Sequence, residues 1–108
     1  MGASRLVVVI TATALGDLHA IDDYWTKRGE SGRGRKYFDD LMRAAEHELS
    51  DRERAERGRL VKNAPQPNTR EILVFKSSYR IFYRLDTQRS TVFVLRFWHC
   101  HRDETFAE

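Results

Sequence analysis

Three strand-forming runs fill the last third of the chain: Thr69-Arg70-Glu71-Ile72-Leu73-Val74-Phe75-Lys76, then Tyr79-Arg80-Ile81-Phe82-Tyr83-Arg84-Leu85, then Ser90-Thr91-Val92-Phe93-Val94-Leu95-Arg96-Phe97-Trp98-His99. β-Branched and aromatic residues dominate each run, and the breaks at Ser77-Ser78 and residues 86–89 are short, so the strands must return on themselves as an antiparallel meander. Side chains alternate across a strand. Tyr79, Ile81, Tyr83 and Leu85 therefore share one face, and Arg80, Phe82 and Arg84 the other. The same counting on the last run puts Phe93, Leu95, Phe97 and His99 on one side and Val92, Val94, Arg96 and Trp98 on the opposite side. One face is apolar enough to receive helices. The other alternates Arg with Phe, Val and Trp, which fits a face kept for a partner, because left free it would expose a large apolar patch. Arginine stems lying over apolar neighbours with their heads in water explain the same pattern without any partner.

What precedes the meander supplies the helices. Leu6-Val7-Val8-Val9-Ile10 reads as a covered strand. It ends at Thr11-Ala12-Thr13, where a hydroxyl can cap a helix whose first turn holds Asp17. Leu15, Leu18, Ile21 and Trp25 recur at helical spacing, and Lys27-Arg28-Gly29 ends the helix with basic residues and a glycine. The glycine-rich residues 29–34 form the turn to a second stripe of Tyr37, Phe38, Leu41, Met42, Ala45 and Leu49. Residues 50–58 hold only Ala55 as an apolar residue, yet Glu48/Arg52 and Glu53/Arg57 stand four apart, so a solvated extension of the second helix is expected. Pro65 and Pro67 mark a connector to the sheet. The expected fold is α+β: an N-terminal strand and an antiparallel helical hairpin packed on one face of a four-stranded sheet, completed by a three-stranded meander. Its 108 residues suffice for one domain spanning 1–108 with one modest core.

The net charge is +3, and its distribution says more than its size. Acidic residues crowd between Asp17 and Glu56, whereas from Arg59 to Arg102 nine basic residues stand against Glu71 and Asp86. The C-terminal half should meet an acidic partner, nucleic acid or protein. The single Cys100 excludes an internal disulfide and suits a reducing compartment. The longest apolar run is far shorter than the ~20 residues that span a bilayer, so a soluble, cytoplasmic protein without membrane contact is expected. His99-Cys100-His101 lacks the spaced second pair of ligands of a zinc site, and neither metal nor cofactor is expected.

The order of these elements, Arg70-Glu71-Ile72 leading to Tyr79-Arg80-Ile81-Phe82-Tyr83-Arg84-Leu85, the ending from Val94 to Asp103, and Asp17-Leu18 through Ile21, Tyr24 and Trp25 resemble the ParE/RelE superfamily of bacterial toxins over nearly the whole chain. The resemblance implies the toxin of a type II toxin–antitoxin pair, serving growth inhibition and plasmid stabilisation. A ParD-like or other small antitoxin would neutralise it by laying a helix and strand over the groove and sheet. RelE-like members cleave messenger RNA on the ribosome, whereas ParE-like members carry the fold without a full catalytic set and block DNA gyrase.

RNA cleavage without a metal needs a base, an acid and cations on the phosphate; here His99 or His101 would move protons while Arg80, Arg96 and Lys76 hold the phosphate. The helix-to-sheet region has no lysine cluster beyond Lys62, and the strand end is closer to the ParE-like ending, so gyrase inhibition by binding is the leading expectation. The partner surface would comprise Arg80, Phe82, Arg84, Arg96, Trp98, His99 and Arg102, a tryptophan among arginines being the composition of a binding hot spot. A homologue that has lost its target and only binds antitoxin is the third reading.

Overall fold

Strand β1 (Val7–Ile10) leads directly into helix α1 (Ala12–Lys27), which packs against helix α2 (Ser31–Leu49). A short helix α3 (Arg52–Glu56) and a two-residue strand β2 (Arg59–Leu60) follow, and then β3 (Thr69–Val74), β4 (Tyr79–Asp86) and β5 (Thr91–His99). The computed structural model describes residues 5–100. The sheet runs β1-β5-β4-β3-β2, with β1 parallel to β5 and every other pair antiparallel. It thus has five strands and not the four expected, because Arg59 and Leu60 turn back to pair with Glu71 and Arg70. The meander itself is as the sequence implies.

One core joins the hairpin to the sheet. Leu18 of α1 and Leu41, Ala45 and Leu49 of α2 are fully buried against Ile81, Tyr83, Val92 and Val94. Each of the leucine, isoleucine and valine side chains contributes about 1.5–3 kcal/mol by leaving water. The two helices approach closely at Gly34, where a Cβ would lie 2.6 Å from the Asp22 Oδ1. Glycines 32 and 34 are therefore inside α2, which starts earlier than the glycine-rich turn suggested; the close contact with α1 outweighs their poor helix propensity.

Two further expectations are corrected. Residues 50–58 do not prolong α2. Asp51 stops it and caps α3, accepting from Glu53 N at 2.8 Å and Arg54 N at 3.2 Å. That turn lets the buried Ala55 dock on the sheet, where the Tyr83 hydroxyl donates to its carbonyl at 2.5 Å. The Gly58 backbone passes so near this tyrosine that a Cβ would meet its hydroxyl at 1.9 Å.

The second correction concerns the faces of β5. A bulge between Phe82 and Tyr83 pairs Phe82 with Arg96 but Tyr83 with Val94, which leaves Leu95 as the extra residue. One inserted residue reverses the alternation beyond it. Val92 and Val94 therefore face the helices together with Phe97, while Arg96 and Trp98 keep to the other side.

Candidate partner-binding face

The sheet surface away from the hairpin is a small lattice set by strand register. Leu73, Arg80 and Trp98 lie in one row, Glu71, Phe82 and Arg96 in the next, and Thr69, Arg84 and Phe93 in the third. Five of the seven sequence-predicted partner residues fall here. Phe82 and Trp98 are 2% and 7% exposed although neither belongs to the helix-facing core. Around them the arginines lie over rings, with the Arg96 guanidinium 5.0 Å from the Trp98 ring centre and that of Arg84 5.9 Å from Phe93.

The three arginines differ in what holds them. Arg96 is fixed at the sheet edge by Asp17, with Nε and Nη2 at 2.8 and 2.9 Å from the two carboxylate oxygens. The same Asp17 accepts from the Phe97 backbone N–H at 3.0 Å. β1 pairs only as far as Val94, so this carboxylate satisfies a strand-edge donor that β1 leaves open. The hydrogen bond to Asp17 raises the Arg96 pKa. Asp17 thus stands one turn deeper in α1 than expected: Thr11 caps the helix, accepting from Ala14 N at 3.3 Å, and Asp17 serves the sheet.

Arg80 lies 3.7 Å from the Glu71 Oε1, and Arg59 binds the Glu71 Oε2 through both Nε and Nη2. Glu71 is 7% exposed. Among the described residues its Oε1 and the Arg80 Nε are buried without a hydrogen-bond partner, a state that costs about 1–3 kcal/mol per group. Among the described residues the half-buried Arg84 side chain has only its contact with Phe93 and is the most available cation of the three.

His99 does not join this face. It pairs across the strands with Tyr79, their ring centroids 4.8 Å apart and perpendicular, on the helix side. The proposed catalytic set of His99, Arg80 and Arg96 is therefore split between two sides of the sheet, while His101 and Arg102 lie outside the described residues.

On the helix side, His99 borders a groove of ≈ 790 Å³ at the mouth of the hairpin, walled by Tyr24, Trp25, Tyr37, Phe75 and Tyr79. Ring contacts run continuously through it, from Tyr24 to Trp25, Tyr37, Tyr79 and Phe75. Burial first, then the neighbouring phenols of Tyr37 and Tyr24, push the Tyr79 pKa up to about 12. Sequence reading missed this groove because Trp25 and Tyr37 were read only as core stripes of their helices. The signal available was a cluster of aromatics at the last turn of α1 and the first turns of α2. Glu71 was also passed over, since a lone carboxylate among arginines reads as a solvated charge.

The chain belongs to the family of ParE toxins of type II toxin–antitoxin systems (parDE), whose sequence model matches residues 8–104. It is thus a type II toxin of the ParE/RelE superfamily. The fold is shared with the chromosomal ParDE toxin–antitoxin system from P. aeruginosa, at 18% identity over 89% of this chain and 97% of that one, with a TM-score of 0.67. The toxin–antitoxin complex RelBE2 from Mycobacterium tuberculosis is similar too, at 25% identity over 88% of this chain and 98% of that one, with a TM-score of 0.65. Among proteins with curated functions, none matches the sequence.

Proposed function

We propose that this toxin acts in the cytoplasm by binding and inhibiting DNA gyrase, and that a ParD-like antitoxin neutralises it by covering the face of Phe82, Arg84 and Trp98. The observation that carries the reading is the dispersal of the nuclease candidates. His99 stands with Tyr79 on the helix side, while Arg96, which alternates to the other side, has its guanidinium already committed to Asp17 at the sheet edge. A phosphate in the transition state of RNA cleavage needs cations and proton carriers within hydrogen-bond reach of one point, and these residues offer no such point. A binding surface needs only the buried aromatics and the arginines over them. The family match supports the toxin–antitoxin part of this reading.

Ribosome-dependent mRNA cleavage is the second reading, and Glu71 is what favours it. A buried carboxylate with one open oxygen beside Arg80 is a base next to a phosphate-holding cation. Purified toxin assayed in one preparation for gyrase supercoiling and for ribosome-dependent mRNA cleavage separates the two. Lost supercoiling with intact mRNA is expected. Cut mRNA with normal supercoiling, abolished by Glu71→Gln, would replace the binding mechanism with the nuclease. Silence in both assays would leave an antitoxin-binding module.

A further inference from the structure

The aromatic groove takes no part in the toxin reading above, and its chemistry is unlike that of the sheet face. Aliphatic surface in it is limited to Ala20 and Ile21. The rest is aromatic residues, three of them tyrosines, together with Ser78 and, at one edge, Asp17, whose carboxylate is already paired with Arg96. An amphipathic peptide helix anchors through aliphatic ridges at three- and four-residue spacing, and this groove has little to receive them. Planar rings that also carry hydrogen-bonding edges match it better, as they do wherever bases are held on aromatic side chains.

A second cavity of ≈ 490 Å³ adjoins the first and shares Tyr37 and Phe75 with it. Its other walls are polar: Gly32, Arg33, Lys36 and Asp40. The cations here are loosely committed. Lys36 pairs with Asp40 at 2.8 Å and Arg33 with Glu30 at 3.6 Å, and the Lys36 and Arg33 side chains are 75% and 53% exposed. Exposed pairs of this kind are weak, because water screens them, so a stronger anion can displace them. Asp40 would be repelled by that anion, but Arg43 remains 3.3 Å from it as an alternative partner. Arg33 also lies 4.8 Å from the centre of the Trp25 ring, at the junction between aromatic groove and cationic pocket.

Phe75, the wall common to both cavities, is held there by strain. Phe75, Lys76 and Ser77 have φ of 53°, 54° and 69°, with Ser78 N donating to Phe75 O at 3.0 Å across the turn. Three successive non-glycine residues in the left-handed region are each strained, because the Cβ crowds the following carbonyl oxygen. Strain of this kind collects at ligand clamps.

We propose that the two cavities form one binding site for a nucleoside phosphate, with the base among Trp25, Tyr37, Phe75 and Tyr79 and the phosphate at Arg33 and Lys36. Each cavity alone falls in the range of sites that enclose small molecules. The same chemistry belongs to a free mononucleotide and to the terminal nucleotide of a strand.

The chain's two tryptophans supply the test, one in the groove and one on the opposite sheet face. The indole N–H resonances of the full chain, assigned with Trp25→Phe, are followed during titration with AMP, adenosine, inorganic phosphate and a five-nucleotide single strand. Saturable movement of the Trp25 signal with Trp98 unmoved is expected, with adenosine at least about tenfold weaker than AMP for want of the charged contact. Phe75→Asn removes the ring yet tolerates positive φ, and Lys36→Glu reverses one charge; each should weaken binding about tenfold through lost stacking or charge. Tighter binding of AMP assigns the site to a free nucleotide, and tighter binding of the oligonucleotide assigns it to a strand end. No saturable Trp25 movement, or binding undiminished by Lys36→Glu in a protein that melts normally, overturns the proposal.

Discussion

Strand β5 has two halves that solve the same problem differently. From Thr91 to Val94 its outer edge is paired with β1, and its inward side chains, Val92 and Val94, are fully buried. From Arg96 to His99 that strand partner is gone, and Asp17 stands in for it by binding the Phe97 N–H and the Arg96 guanidinium together. One half is held by a ladder and apolar packing, the other by one carboxylate reaching from a helix. The difference teaches which charges on this sheet are structural. A cation that completes an edge, like Arg96, has little left for a partner, whereas Arg84, which completes nothing, can be lent to one.

The sharpest way to break that contrast is Asp17→Ala. It orphans a backbone donor and a half-buried guanidinium at once, and a loss of about 2–3 kcal/mol is expected in chemical denaturation. Asp17→Asn, which can still accept from Phe97 N–H, should recover part of it. If Asp17→Ala melts like the parent protein, the carboxylate is not the substitute for β1. Val94→Ala tests the covered half by removing two methyl groups from the core, and about 2 kcal/mol is expected from lost burial plus the cavity left behind. The two substitutions act on different terms, so adding salt should weaken the Asp17 effect and leave the Val94 effect unchanged.

A smaller effect comes from the phenols beneath this strand. Burial raises both Tyr79 and Tyr83 to about 12, against an ordinary value of 10.0. The unfolded chain therefore releases these protons first as the solution is made alkaline. Stability conferred by the neutral phenols is complete below pH 10 and is lost as the pH rises toward 12. Tyr79→Phe cannot ionise, so its denaturation midpoint should fall less steeply over that window than the parent's. Identical slopes would show that Tyr79 is as accessible to hydroxide as a free phenol.

Much of this was legible in the residues. The turns and alternation gave the meander, and the spacing of Leu18, Leu41, Ala45 and Leu49 gave the hairpin and its buried stripe, because both depend on local periodicity. The ParE/RelE resemblance was legible on other grounds, the order of the elements and the segments around Arg70, residues 79–85 and residues 94–103. The bulge at Leu95 was not, since nothing in Val92-Phe93-Val94-Leu95-Arg96 marks which residue is extra; only pairing with β4 decides it. The Asp17–Arg96 pair was hidden by 79 residues of separation, and the role of Asp51 by a run of charges that reads equally well as continuing helix. Glu71 and the aromatic groove shared that fate, since each depends on side chains from different elements meeting in space.

Arg84 gives the smallest effect on stability and the most direct probe of the face. Among the described residues its guanidinium makes only the contact over Phe93, at 5.9 Å, and such a cation–π contact near the surface is worth about 0.5–1 kcal/mol. Arg84→Glu should therefore fold with a midpoint close to the parent's. If an acidic partner covers this face, the substitution puts like charges opposite one another. Association should slow and the salt dependence of binding should invert, while dissociation changes less. Arg96→Glu offers the contrasting case: it loses affinity through loss of the edge, and its circular dichroism and melting would change with it. Surface plasmon resonance of co-expressed antitoxin against both variants distinguishes the two. An Arg84→Glu protein with unaltered association rate would remove Arg84 from the partner surface and overturn the placement of the antitoxin on this face, since Phe82 and Trp98 are already buried in the free chain.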